Sequence, residues 1–276
     1  MRRLVSRRVR ALRQIDGWPV PFAAAGVVTR DGGVETCGDA DASVRLASVS
    51  KPVGALAVLV AAEEGVVDLD EAAGPPGSTV RHLLAHASGL SFEGTTPIAS
   101  PGRRRVYSNE GFRVLAAHLT ERAEMPFSDY VREAVCEPLR IGLDPRGDPG
   151  SGMHASLSDV LAVARELLVP AIVAEETLAE LTSIQFPGLS GVLPDFGRFE
   201  PLDWGLGVQV NTNPPSWMGV RASRTAFGHF GGSGTFVWVD PEVGVACAAL
   251  TSREFGEWAK EAWPALSDAV LDELMA

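Results

Sequence analysis

Ser48 and Lys51 stand three residues apart in Ser48-Val49-Ser50-Lys51, where a long apolar stretch with an early Pro52 begins. On a helix that separation puts both side chains on one face, within reach of each other. A serine hydroxyl is a poor nucleophile at neutral pH until a neighbour removes its proton, and a lysine can do this only when burial or another cation lowers its own proton affinity. Arginine could not serve, because a guanidinium stays protonated. The chain nevertheless uses arginine almost everywhere: of 24 Lys and Arg residues only Lys51 and Lys260 are lysines. The pair reads as a nucleophile with its base, or as a helix N-cap serine followed by a solvated lysine.

Two further segments carry polar groups suited to the same chemistry. Tyr107, one of two tyrosines, opens Tyr107-Ser108-Asn109. A phenol beside a lysine ammonium loses its proton more easily and can relay one, and the Asn109 amide can orient a substrate carbonyl or bond the lysine. The same tripeptide also suits an aromatic residue plus an N-cap before a helix starting near Glu110. Gly228-His229-Phe230-Gly231-Gly232-Ser233-Gly234 precedes the β-branched and aromatic stretch Thr235 to Val239. Its glycines let a ligand lie close to backbone N–H groups, as an oxyanion hole requires, and equally allow a flexible hairpin connection. A phosphate loop is disfavoured, since no lysine ends the glycine run and no helix follows.

The elements that must hold these residues follow from periodicity. Phe22 to Thr29 and Val34 to Cys37 flank Asp31-Gly32-Gly33 and read as a β-hairpin. Ser50 to Gly65 reads as a core helix, its apolar run too short to span a bilayer. Val80 to His86, Asn109 to Arg122, Phe127 to Glu137, Leu157 to Val169 and Glu175 to Ile184 carry apolar residues at helical spacing. After Pro201 strands return, at Val208 to Val210, Thr235 to Val239 and Val243 to Leu250, and Glu254 to Met275 reads as a helix lying across them. The expected class is α+β: an antiparallel sheet from both chain ends (1–78 and 201–276), flanked by terminal helices, with a helical lobe (79–200) inserted, the two lobes making one catalytic unit.

Composition narrows the partners. Hydrophobic residues at 46% and charged residues at 21% fit an ordinary globular protein, and a net charge of -11 argues against nucleic acid or an anionic membrane. The one basic cluster, Arg2, Arg3, Arg7, Arg8, Arg10 and Arg13, is followed by Gln14, Asp16, Gly17 and Pro19 where a secretory signal would be apolar, so an exposed amphipathic helix is expected. Cys37, Cys136 and Cys247 are scattered and odd in number, which reads as reduced, buried thiols in a cytoplasmic protein. His82 and His86 have an i, i+4 spacing that can hold zinc, but no third ligand is evident. A small-molecule substrate is the expected partner, with no metal, and the oligomeric state is not legible.

In this order and with these surroundings, the three segments resemble the penicillin-recognising serine hydrolases, especially the branch of class C β-lactamases, D-Ala-D-Ala carboxypeptidases and carboxylesterases. The stretch Val80 to Leu90 (VRHLLAHASGL), Tyr107 to Phe112, Glu137-Pro138-Leu139 and Trp204 to Gly207 add to the likeness, which covers most of Phe22 to Thr251. The resemblance implies a β-lactamase-like fold, Ser48 as acylated nucleophile, Lys51 and Tyr107 as shared base and acid, and Asn109 as a substrate contact. His229-Phe230-Gly231 occupies the place of the family's Lys/His-Thr/Ser-Gly element, and the backbone N–H groups of Ser48 and Gly232 would form the oxyanion hole. It makes His86 structural and calls for no organic cofactor. Phe230 departs from the pattern: it lacks the hydroxyl that helps hold a substrate carboxylate, and its ring is expected at the mouth of the site.

The expected activity is therefore hydrolysis of small, uncharged esters or amides through an acyl-enzyme. Phe92 to Arg104 and Gln185 to Pro201 are the expected walls of the site. The alternatives are a β-lactamase or D-Ala-D-Ala carboxypeptidase, a biosynthetic acyltransferase, and a catalytically inactive ligand-binding protein of the same fold.

Overall fold

The structure, a computed structural model, describes residues 9–276. Arg2, Arg3, Arg7 and Arg8 lie outside the described residues. Arg10 and Arg13 sit on a 3-10 helix, Arg10–Gly17, whose Leu12 and Ile15 are buried.

In chain order the elements are β1 (Ala23–Thr29), β2 (Val34–Cys37), β3 (Val44–Arg45), α1 (Ser50–Glu63), α2 (Val80–Leu84), β4 (Arg105–Val106), α3 (Asn109–Ala123) and α4 (Phe127–Val131). A π-helical turn, Arg132–Cys136, then leads into α5 (Glu137–Leu139). There follow β5 (His154–Ala155), α6 (Leu157–Leu168), α7 (Glu175–Thr182), β6 (Gly191–Leu193), β7 (Gly197–Phe199), β8 (Gln209–Val210), β9 (Phe227–Gly231), β10 (Thr235–Asp240), β11 (Val245–Thr251) and α8 (Glu257–Met275).

Strands from both chain ends form one six-stranded antiparallel sheet in the order β2-β1-β11-β10-β9-β8. Its faces follow the two-residue period of a strand. Ala24, Val28, Val237, Val239, Ala246, Ala248 and Leu250 join the larger core, with α1 and α6. The intervening Ala25, Val27, Phe236, Trp238, Cys247 and Ala249 pack against Trp263, Leu266, Val270 and Leu271 of α8. Both faces are covered, which is why these strands read as nearly continuous apolar runs. α1 is apolar on every side and buried from Ser50 through Leu59, as a helix at the centre of a core must be.

Three details differ from the sequence reading. Phe227–Gly231 is a full strand, so the glycine run is half strand and half turn; glycine's weak strand preference hid it. Helix α6, grouped in sequence with the 79–200 segment, packs on the sheet, close enough that Leu161 leaves no room for a Cβ on Gly26 of β1. Of the free cysteines, Cys136 and Cys247 are buried, while Cys37, on the outer strand β2, is half-buried. Among the described residues no helix is long and apolar enough to cross a membrane.

Candidate active site

Ser48 lies in a short 3-10 turn, Ala47–Val49, that runs directly into α1. Ala47 has φ 46°, the left-handed region that a Cβ disfavours. The surroundings hold this turn from several directions. Thr235 Oγ1 donates to the Leu46 carbonyl at 2.7 Å, Ser233 Oγ to that of Arg45 at 2.7 Å, and Leu46 N to that of Met153 at 2.9 Å. Ser48 is left half-buried at the surface of the turn. Ser50, the other serine of the motif, is wholly buried and accepts a hydrogen bond from Met153 N at 3.2 Å.

Lys51 is fully buried, one helical turn below Ser48. Its Nζ lies 3.2 Å from Ser48 Oγ, 2.7 Å from Asn109 Oδ1 and 2.9 Å from the Gly150 carbonyl. Two of these partners can only accept. Asn109 is fixed in this orientation because its Nδ2 donates to a Glu93 carboxylate oxygen at 3.0 Å. A neutral lysine therefore spends its two N–H groups on Asn109 and Gly150 and turns its lone pair to the Ser48 hydroxyl. Burial lowers the Lys51 pKa to about 7, with Asp148 and Glu93 pulling it upward and Arg113 downward.

Tyr107 and Asn109 reach this point from the start of α3, where Ser108 between them is the N-cap, accepting from Gly111 N at 2.9 Å. The tripeptide thus serves both purposes open in the sequence: Ser108 caps while its neighbours face Lys51. Lys51 Nζ lies 4.8 Å from the centre of the Tyr107 ring. The expected easing of phenol ionisation does not hold. Desolvation raises the Tyr107 pKa, a hydrogen bond with Ser48 offsets only part of this, and the phenol is neutral.

His229 on β9 is buried, with Nδ1 2.7 Å from the Phe230 carbonyl and Nε2 3.5 Å from the Tyr107 hydroxyl. The carbonyl accepts, so Nδ1 carries the hydrogen and Nε2 presents a lone pair to Tyr107. Desolvation, aided by Lys51, lowers the His229 pKa to about 3 and keeps the ring neutral. His86, with φ 55°, stacks at 4.5 Å from Tyr107 and accepts from Ser108 N through Nδ1 at 3.2 Å. With Trp204 edge-on at 4.7 Å from His86, it holds the phenol in place. His82 instead bonds Thr79, and among the described residues no cluster of three metal-ligating side chains forms.

The glycines fit their positions differently. A Cβ on Gly231 would meet the Leu46 carbonyl oxygen at 2.4 Å and Thr235 Oγ1 at 2.5 Å, so β9 can lie against the Ser48 turn only with glycine there. At Gly232 a Cβ would meet nothing within 4 Å. Phe230 is not where the sequence reading put it. Adjacent strand residues face opposite ways, and while His229 faces Tyr107, the Phe230 ring is 9% exposed among Phe196, Trp217, Phe255 and Trp263. It is a packing residue, and no hydroxyl stands at this position.

Beside Tyr107 opens a groove of about 300 Å³ lined by Phe92, Ile98, Val106, Val192 and Pro194, with Arg104 and Arg198 among its walls. It draws on both segments expected as walls. Phe92, Ile98 and Val192 are about half exposed, and the Phe92 ring stacks 6.0 Å from Tyr107. Sequence reasoning did not single out Glu93, Arg113, Asp148 or Gly150, all tied to Lys51. Only Arg113 carried a local signal, one helical turn after Asn109 on α3.

Comparison with known proteins adds the family. A family model described as Beta-lactamase matches residues 12–144 and 140–271. Penicillin-binding protein 4* of Bacillus subtilis (strain 168) is 27% identical over 195 residues, 56% of this chain and 43% of that protein, so the chain spans less than half of that relative's length. A beta-lactamase structure from Mycobacterium bovis matches with a TM-score of 0.94 and 49% identity, covering 96% of this chain and 100% of the other. Simvastatin synthase (LovD) of Aspergillus terreus (TM-score 0.79, 17% identity, 96% and 98% covered) and EstCE1, a hydrolase with promiscuous acyltransferase activity (0.78, 18%, 96% and 97%), share the fold. Matched along nearly its whole length, the chain belongs to the Beta-lactamase family.

Proposed function

We propose that the protein is a serine hydrolase that forms an acyl-enzyme on Ser48, with small, uncharged esters or amides as substrates. The observation that carries this reading is the wholly buried Lys51 amine 3.2 Å from a half-exposed serine hydroxyl, its other hydrogens committed to acceptors. In the first step Lys51 takes the Ser48 proton as Oγ attacks the substrate carbonyl. The backbone N–H groups of Ser48 and Gly232 stabilise the oxyanion. Tyr107, a neutral phenol, gives its proton to the leaving group and takes back the one held by Lys51, which restores the amine. Water then enters by the reverse sequence and releases the acid. Asn109 holds Lys51, and its amide hydrogen not bonded to Glu93 is the one left to contact substrate.

The groove beside Tyr107 supports the substrate class, since its exposed Phe92, Ile98 and Val192 match an apolar chain. Each methylene buried there contributes about 0.8 kcal/mol, roughly fourfold in kcat/KM. p-Nitrophenyl esters of increasing acyl length should therefore be cleaved with rising kcat/KM until the groove is full, and Phe92→Ala should flatten the rise. One observation favours a β-lactam instead, the 49% identity to a structure described as a beta-lactamase. A chromogenic cephalosporin assayed beside the esters separates the two: cephalosporin turnover well above the best ester would replace the esterase reading.

A further inference from the structure

We infer that Arg113 is a positioning residue for the Ser48–Lys51 chemistry, closing a ring of hydrogen bonds that fixes both carbonyl acceptors of Lys51 from one guanidinium. The inference rests on Lys51 being the base. Starting from Lys51 Nζ, the ring passes to Asn109 Oδ1 at 2.7 Å, and from Asn109 Nδ2 to Glu93 Oε1 at 3.0 Å. The second Glu93 oxygen accepts from Arg113 Nη1. Arg113 Nε donates to Asp148 Oδ2 at 2.6 Å, and Asp148 Oδ1 accepts from Gly150 N at 3.0 Å and Ser151 Oγ at 2.9 Å. The Gly150 carbonyl, accepting from Lys51 at 2.9 Å, returns to the start.

The ring gathers three separate segments: the loop bearing Glu93, helix α3 and the turn Asp148 to Gly152. Gly150 is where the turn comes closest, since a Cβ there would stand 3.4 Å from Lys51 Nζ and 3.1 Å from Phe112 Cβ. Apart from Lys51 itself, Arg113 is the group in this ring that ties together the carboxylates supporting Asn109 and Gly150. Losing the guanidinium frees both acceptors at once and with them the direction of the lysine lone pair.

Charge makes the role measurable. The ionised groups facing Lys51 are Glu93, Asp148 and Arg113, with Glu110 held 3.1 Å from Arg113. On the other sides stand Tyr107, His229 and His86, all neutral because desolvation disfavours their charged forms. Arg113 thus offsets two carboxylates that would otherwise hold a proton on Lys51. Removing its charge should strengthen proton binding by Lys51, and removing that of Glu93 should weaken it. Arg113 and Glu93 side chains are 37% and 51% exposed, so solvent and salt reduce both effects.

The test is the pH dependence of kcat/KM for a p-nitrophenyl ester in wild type, Arg113→Gln, Arg113→Lys and Glu93→Gln, at low and high salt. The acidic limb should move up by about half a pH unit in Arg113→Gln, with a rate loss of roughly tenfold, and down by about half a unit in Glu93→Gln. Arg113→Lys should restore the position of the limb, and high salt should shrink both shifts. Limbs that stay put in both charge-removing variants, or move the same way, would overturn the proposal, since general loosening of the fold would hydrate Lys51 and raise the limb in both. If Arg113→Gln does not fold, Glu93→Gln and Arg113→Lys decide the matter. A limb raised or unmoved in Glu93→Gln overturns the proposal, as does one displaced in Arg113→Lys. A Lys51→Ala variant with the wild-type rate would refute the base itself, a failure distinct from an unmoved limb in an enzyme that needs Lys51.

Discussion

Lys51 shows how position gives an ordinary side chain an unusual property. Enclosed by Tyr107, Phe112, Asn109 and Gly150, it has exchanged hydration for two acceptors and one hydroxyl, and its pKa falls to about 7. A base must be neutral to work, so kcat/KM should rise with pH through about 7 and fall about tenfold per unit on the acid side. Lys51→Arg keeps charge and length but cannot accept a proton, and should lose roughly 10²- to 10⁴-fold in kcat, close to the loss in Lys51→Ala. An arginine variant retaining most of the rate would leave the lysine an electrostatic role only. The Ser48–Lys51 and Tyr107–Asn109 pairs were legible in sequence because the members of each lie within three residues of one another. Glu93 and Asp148 were not, because loops far apart in sequence bring them in. The ionisation of Tyr107 runs against the sequence expectation for a related reason: a neighbouring lysine is visible in a motif, and the desolvation that outweighs it is not.

At the scale of elements, the site depends on how closely β9 lies against the turn that enters α1. Ala47 is held at positive φ by the bonds that the preceding Arg45 and Leu46 accept from Ser233 and Thr235 and that Leu46 donates to Met153, and Gly231 permits the contact. Gly231→Ala should push the two apart by most of an ångström, costing about 3 kcal/mol of stability and, through misplacement of Ser48, at least roughly tenfold in kcat. Gly232→Ala has open space for its methyl and should show near wild-type stability. Urea unfolding and ester kinetics on both variants measure this; equal stability of the two would remove the close approach from the account. The hairpin, the helices and the two final strands of the sheet were readable from periodicity and turn residues. The half of the glycine run that is strand was not, since its pairing with β10 and β8 is tertiary.

Over the whole molecule, strands from both chain ends sandwich between α8 on one face and α1 with α6 on the other, and the groups proposed to react converge where α1, α3 and β9 meet. The sheet's assembly from distant segments was legible because strand signals cluster at the two ends. The packing of α6 on that sheet was not, because an apolar helical stripe does not name its partner. The same limit hid the face that Phe230 turns to. What the assembly achieves is a single serine that is both accessible and adjacent to a buried amine, since Ser50, two residues on, is enclosed and bonded to Met153. The most direct measurement is therefore peptide mass spectrometry after labelling with a fluorophosphonate, paired with the turnover of Ser48→Ala. The adduct should lie on Ser48, and the variant should neither label nor retain more than about 10⁻³ of the wild-type kcat. An adduct on Ser50 or elsewhere, or full activity in Ser48→Ala, would contradict the account.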